Sequence, residues 1–157
     1  MKPTVIENFL DENTYNKVKH YTNLQQYPLE YNHEFKRMCA HNNPFFRSMH
    51  QQLEKVASEI FKTEVRASYC FLSLYGSEGI CPKHSDRPQC KYTIDLCIEC
   101  DKEWDIFIDD VPYTSRNNNA ICYSGTDTKH WRNRIEGRFM NLVFFHFVPI
   151  DFEGPLS

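Results

Sequence analysis

The chain predicts an α+β fold, helices first and antiparallel strands after, on three observations. Apolar residues recur at spacings of three and four up to about residue 62, and beyond it they fall in short alternating runs. Gly, Pro and Asn punctuate the second half at strand-length intervals. No internal repeat or low-complexity linker divides the chain, and 157 residues suffice for one core with a pocket but not for two full domains. The expected organisation is a single domain over residues 1–157, with a helical support at about 1–62 and a β core at about 63–150.

The elements follow in order. Asp11 is placed to cap a helix running to about Tyr21, because a short acidic side chain accepts from the free amides of a first turn. Asn43-Pro44 marks a second start, with Asn as cap and Pro at the first helical position. From there Phe46, Met49, Leu53, Val56, Ala57 and Ile60 give residues 44–62 one apolar face. Residues 22–42 mix Asn, Gln, Tyr and charge without period and read as a loop or lid. Strands are expected at 65–75, 92–99, 105–108, 120–123 and 139–148. Tyr92, Ile94, Leu96 and Ile98 alternate with Thr93, Asp95, Cys97 and Glu99, so the second set forms a polar face fit to line a pocket. Pro112 and three successive asparagines make 109–119 a hairpin loop.

Composition narrows the function classes. An aromatic content of 15% and a hydrophobic content of 41%, with no apolar run of bilayer length, describe a packed globular protein with no membrane partner. The first residues carry an acid and no long apolar stretch, which argues against a secretory signal. Seven cysteines, an odd number, then fit reduced thiols in a cytoplasmic or other intracellular compartment. A net charge of −3 gives no overall field favouring nucleic acid. Basic residues gather only at Lys129, Arg132, Arg134 and Arg138, around His130, where they suit a small anion.

His84-Ser85-Asp86 is the motif that carries chemistry. Imidazole nitrogen and carboxylate oxygen two residues apart can hold one ion from a single stretch of backbone, and one further histidine completes a facial set suited to Fe(II) with coordination positions left open. His130 is the candidate third ligand. It precedes the last strand, and Arg138 stands at that strand's start.

On these residues the chain resembles the Fe(II)- and 2-oxoglutarate-dependent dioxygenases, in particular their small prolyl-hydroxylase-like branch, best over residues 65–149. The resemblance implies N-terminal helices packed on a double-stranded β-helix, or jelly roll. It also implies His84, Asp86 and His130 as ligands of Fe(II), with 2-oxoglutarate as cosubstrate and ascorbate as reductant. Arg138 is then the partner of the cosubstrate's distal carboxylate, with Arg132 the competing candidate. Parity favours Arg138, which shares a strand face with Met140, Leu142, Phe144 and His146. Tyr75 matches a tyrosine that reaches the cosubstrate and Thr93 a pocket-lining position. Arg87, Asp95 and His146 are substrate candidates, and the implied reaction is hydroxylation of a protein side chain, amino acid or small metabolite with release of succinate and CO2.

Two other readings are open. Cys97-Ile98-Glu99-Cys100 has the spacing of half a zinc site, which Cys81 or Cys90 would have to complete, although no glycine forms a knuckle there. An inert β-helix serving as a binding module is the other, and the intact ligand set argues against it. Nucleic-acid binding would need a basic stripe with interleaved aromatics, and the basic residues are confined to one short stretch.

Overall fold

A computed structural model describes all 157 residues. Asp11 caps α1 (Glu12–Leu24) as expected, accepting from the Thr14 amide at 2.9 Å, and the helix runs one turn further than predicted before Gln25 ends it in the left-handed region. Asn43 likewise accepts from the Phe45 and Phe46 amides at the start of α2 (Pro44–Gln52). The single helix expected over 44–62 is in fact two, because Leu53, with ψ near −5°, interrupts it ahead of α3 (Glu54–Phe61). Phe46 and Ala57 remain buried, while Val56 lies off the apolar face, 39% exposed.

The stretch read as a lid is largely strand. After β1 (Thr4–Ile6), residues 30–41 form a hairpin of β2 (Glu30–Asn32) and β3 (Arg37–His41), whose register on the next strand pairs Cys39 with Ser73. Its period was hard to see because only Met38 and Ala40 turn an apolar side toward the core. The remaining strands are β4 (Val65–Tyr75), β5 (Cys81–His84), β6 (Tyr92–Cys100), β7 (Trp104–Ile108), β8 (Val111–Ser115), β9 (Ala120–Tyr123), β10 (His130–Arg132) and β11 (Met140–Pro149). β8 falls inside the expected loop 109–119. The turn is only Asp109-Asp110, both at positive φ as a two-residue hairpin requires, and Pro112 is tolerated because β8 is an edge strand.

All pairings are antiparallel, in a seven-stranded sheet of order β1-β9-β6-β11-β4-β3-β2 and a four-stranded sheet of order β5-β10-β7-β8. The main core joins Val18, Phe46, Ala57 and Phe61 of the helices to Ile94, Leu96, Phe145 and Phe147 of the large sheet. Full burial of such a side chain is worth about 1.5–3 kcal/mol. The opposite face of β6, with Thr93, Asp95 and Cys97, is also fully buried, so the polar face read as a pocket lining lies in the interior. Three strands lie within residues 1–62, so the N-terminal part contributes to the sheet as well as supporting it. No helix is long and apolar enough to cross a membrane.

Candidate metal centre and its cavity

Pairing between strands creates the site. In the small sheet His130, the first residue of β10, lies directly opposite His84, the last of β5, and their rings are 4.4 Å apart. Asp86 follows where the strand has ended, and its amide donates to Gly125 O at 2.9 Å while Ser85 Oγ donates to Thr128 O at 2.7 Å. These two bonds pin the His-Ser-Asp segment to the loop that leads into β10. Asp86 Oδ1 comes to 3.2 Å from His84 Nε2 and 3.3 Å from His130 Nε2. One donor atom from each residue fits within 4.8 Å of the others, and this is the one group of three or more His, Cys, Asp or Glu side chains in the chain so arranged.

The donors are also oriented. His84 Nδ1 lies 2.6 Å from the Pro82 carbonyl, an acceptor only, so Nδ1 carries a proton and Nε2 is the atom left to bind a metal. Thr128 Oγ1 donates to Ser124 O at 2.7 Å and is left to accept from His130 Nδ1 at 3.3 Å, which gives His130 the same tautomer. Gly125 packs against the Asp86 carboxylate and the Cys90 carbonyl so closely that a Cβ there would collide with both. Burial pushes the Asp86 carboxyl up, but hydrogen bonds from His130 and His84 overcome it and hold the group well below the ordinary carboxylate range. Its bond to Asp86, followed by one to Cys81, raises His84 to about 10, so in the metal-free protein Nε2 carries a proton that a bound cation would displace. Two imidazoles around one carboxylate, with their donor atoms convergent, form a set that fits a divalent cation of the Fe(II) type.

The three residues line a cavity of about 170 Å³, walled on its apolar side by Phe35, Phe71 and Phe144. Tyr75, Arg132 and His146, all singled out in the sequence, line it as well. Arg132 is 1% exposed and donates to Asp95 at 3.1 Å, Ser115 Oγ at 3.0 Å and the Trp104 carbonyl at 3.2 Å. Burial pushes the Asp95 carboxyl up against the pull of Arg132. A guanidinium keeps its proton, so the carboxylate form is the one that leaves no uncompensated charge in this interior. His146 lies 2.9 Å from Thr93 Oγ1 through Nδ1, and burial lowers it to about 4. Thr93 has no other acceptor, so its hydroxyl donates to Nδ1 and His146 carries its proton on Nε2, which opens on the cavity.

Several sequence assignments are corrected. Arg138 is not in the cavity. β11 begins two residues after it, and its side chain is 88% exposed, held by Asp101 at 3.3 Å. The parity argument holds for Phe144 and His146 but cannot extend to a residue outside the strand. Thr93 and Asp95 are buried behind the cavity, positioning His146 and Arg132 rather than lining it. Arg87 is exposed beside it, with its guanidinium 5.2 Å from the Tyr69 ring centre. Cys97 and Cys100 do not join Cys81 or Cys90 in a ligand cluster. The one charged cavity residue that sequence reasoning missed is an arginine. Arg37 arrives from β3, inside the stretch read as a lid, and the alternation of Met38 and Ala40 was the only signal for it.

Sheets and site together define the class: the chain has the fold of the 2-oxoglutarate–Fe(II) oxygenases. It is similar to an oxidoreductase of the 2OG-Fe(II) oxygenase family from Burkholderia pseudomallei, with a TM-score of 0.76 and 9% identity over 93% of this chain and 84% of the other. Similarity extends to HygX from Streptomyces hygroscopicus, solved with nickel and 2-oxoglutarate (TM-score 0.73, 9% identity, 96% and 84% covered). A Pseudomonas putida prolyl-4-hydroxylase matches with a TM-score of 0.72 and 11% identity over 94% and 92%. No protein-family profile matches the chain, and no curated protein matches it in sequence.

Proposed function

We propose that this chain is an Fe(II)- and 2-oxoglutarate-dependent oxygenase that hydroxylates a protein side chain, an amino acid or a small metabolite. The observation that carries the reading is the convergence of His84 Nε2, Asp86 Oδ1 and His130 Nε2 on one point of a cavity that also receives arginine. Structural neighbours with the same fold, one of them solved with 2-oxoglutarate, support it. Residues 1–157 act as one catalytic unit, since strands from both halves build the large sheet.

Fe(II) held by His84, Asp86 and His130 would supply activation of dioxygen coupled to decarboxylation of the 2-oxo acid to succinate and CO2. The chain supplies position and environment. Pro82 and Thr128 hold the Nδ1 atoms of the two imidazoles, so Nε2 of each faces the site without rotation of the ring. Phe35, Phe71 and Phe144 limit water around the reacting groups. His146 offers its Nε2–H to a carbonyl or hydroxyl of the bound molecules, and Thr93 holds it in that tautomer.

The test is succinate formation from 2-oxoglutarate by purified protein with Fe(II), ascorbate and dioxygen, in wild type and in His84→Ala and Asp86→Ala. Turnover in the wild type that both substitutions abolish is the expected result. Equal turnover in all three removes the triad from the chemistry. A cell lysate searched by mass spectrometry for metabolites or peptides that gain one oxygen atom then identifies the substrate.

A further inference from the structure

Two arginines line the cavity, and their surroundings differ in a way that assigns them different work. Arg132 is already matched: Asp95 neutralises it, and Ser115 and Trp104 complete its bonds. Arg37 has no carboxylate partner. Its Nη1 donates to Ser73 Oγ at 3.2 Å and to the Tyr75 hydroxyl at 3.1 Å, both of which thereby serve as acceptors. Neither hydroxyl has a protein acceptor for its own proton, and Arg37 Nε is buried with no partner at all. The guanidinium is held in place by rings, with its central carbon 4.2 Å from the centre of Phe35, 5.0 Å from Phe71 and 5.5 Å from Tyr75. Aromatic faces stabilise a cation and fix its plane, but they do not accept its N–H groups as a carboxylate does.

A half-buried cation that lines the cavity without a carboxylate, beside a Tyr75 hydroxyl that lines it too and has no protein acceptor, is a site for an anion. On the reading of this cavity as a 2-oxoglutarate site, we propose that Arg37, with the Tyr75 hydroxyl, holds the distal carboxylate of the cosubstrate, and that Arg132 is a structural partner of Asp95. The anchoring charge thus comes from β3, an N-terminal addition to the edge of the large sheet, rather than from the strand that carries His130 or the one that follows it. The rings of Phe35 and His84 meet edge to face at 5.6 Å, so the segment that delivers Arg37 also packs on a metal ligand.

The experiment compares two 2-oxo acids of equal chain length, 2-oxoglutarate and 2-oxopentanoate, which share the chelating end and differ in the distal carboxylate. Anaerobic protein loaded with Mn(II) is titrated with each by calorimetry, for the wild type, Arg37→Gln and Arg132→Gln. A charge-assisted contact of this kind is worth about ten- to a hundredfold in affinity. The wild type should prefer 2-oxoglutarate by that margin, and Arg37→Gln should erase the preference while leaving 2-oxopentanoate binding unchanged. A preference that survives in Arg37→Gln overturns the proposal, and its loss in Arg132→Gln with unchanged thermal stability would move the role to Arg132. Failure of the wild type to bind either acid instead rejects the cosubstrate reading on which the proposal rests.

Discussion

His50 is a buried histidine whose hydrogen bonds admit only the neutral form, and this makes the fold sensitive to acid by a calculable amount. Arg47 Nη1 donates to its Nδ1 at 2.8 Å, and its Nε2–H donates to the His146 carbonyl at 2.7 Å. Burial lowers the group to about 3, only partly offset by the bond to His146, and the nearby Arg47 and His146 side chains lower it further. The unfolded chain therefore takes up a proton near pH 6.5 that the folded chain refuses, and stability contributed by the neutral form falls as pH drops below 6.5 towards 3. Between pH 7.5 and 5 the loss is about 2 kcal/mol, from 1.36 kcal/mol per pH unit integrated over that titration. His84, held up at about 10, has the opposite sign in metal-free protein, since its contribution is complete below 6.5 and is lost as pH rises through 10. It cancels in a comparison of the wild type with His50→Gln, because both carry it. Urea denaturation at pH 7.5 and 5 should show the wild type losing about 2 kcal/mol more than the variant, whatever the variant's stability at pH 7.5. Equal losses would refute the buried neutral assignment.

Gly125→Ala should displace Asp86 or the chain at Cys90, because a Cβ cannot be accommodated beside both. Affinity for Fe(II) or Mn(II), measured by anaerobic titration, should fall at least about tenfold with the fold intact by circular dichroism. Thr128→Val removes the acceptor for His130 Nδ1 and should weaken metal binding by about ten- to a hundredfold, while Thr128→Ser should restore most of it. Arg138→Ala should leave 2-oxoglutarate binding within about twofold of the wild type, since its side chain lies in solvent against Asp101 and surface ion pairs contribute little. Asp95→Asn should destabilise the protein by about 3–5 kcal/mol in thermal or urea unfolding, because it strips the counterion from the fully buried Arg132.

Which parts were legible in the sequence follows from how far each residue's partner lies along the chain. Strand β4 was read with its true ends and β6 and β11 to within one residue, because their side chains answer to a period that a short window contains. The candidate ligands were legible for a related reason: His84 and Asp86 sit two apart on one segment. The strand around His130 was not read, although its pairing with β5 is what brings the two histidines together. Short strands such as β5 and β10 have too few positions to show alternation, and β8 was hidden by a proline that only an edge position excuses.

Charge was harder to read than metal ligation, for a physical reason. A ligand is recognised by its type, whereas a cation's function depends on whether something else has neutralised it. Arg132, Arg138 and Arg37 are alike in sequence. Asp95 quenches the first from 37 residues away, Asp101 holds the second at the surface from the same separation, and the third is left unpaired among three aromatic rings. Proximity to His130 favoured the first two, and neither distance along the chain nor strand parity carries information about counterions. The proposed anion site is thus defined by subtraction, as the one of the two cavity arginines that the fold leaves without a carboxylate, and it is visible only once Asp95 has been assigned its partner.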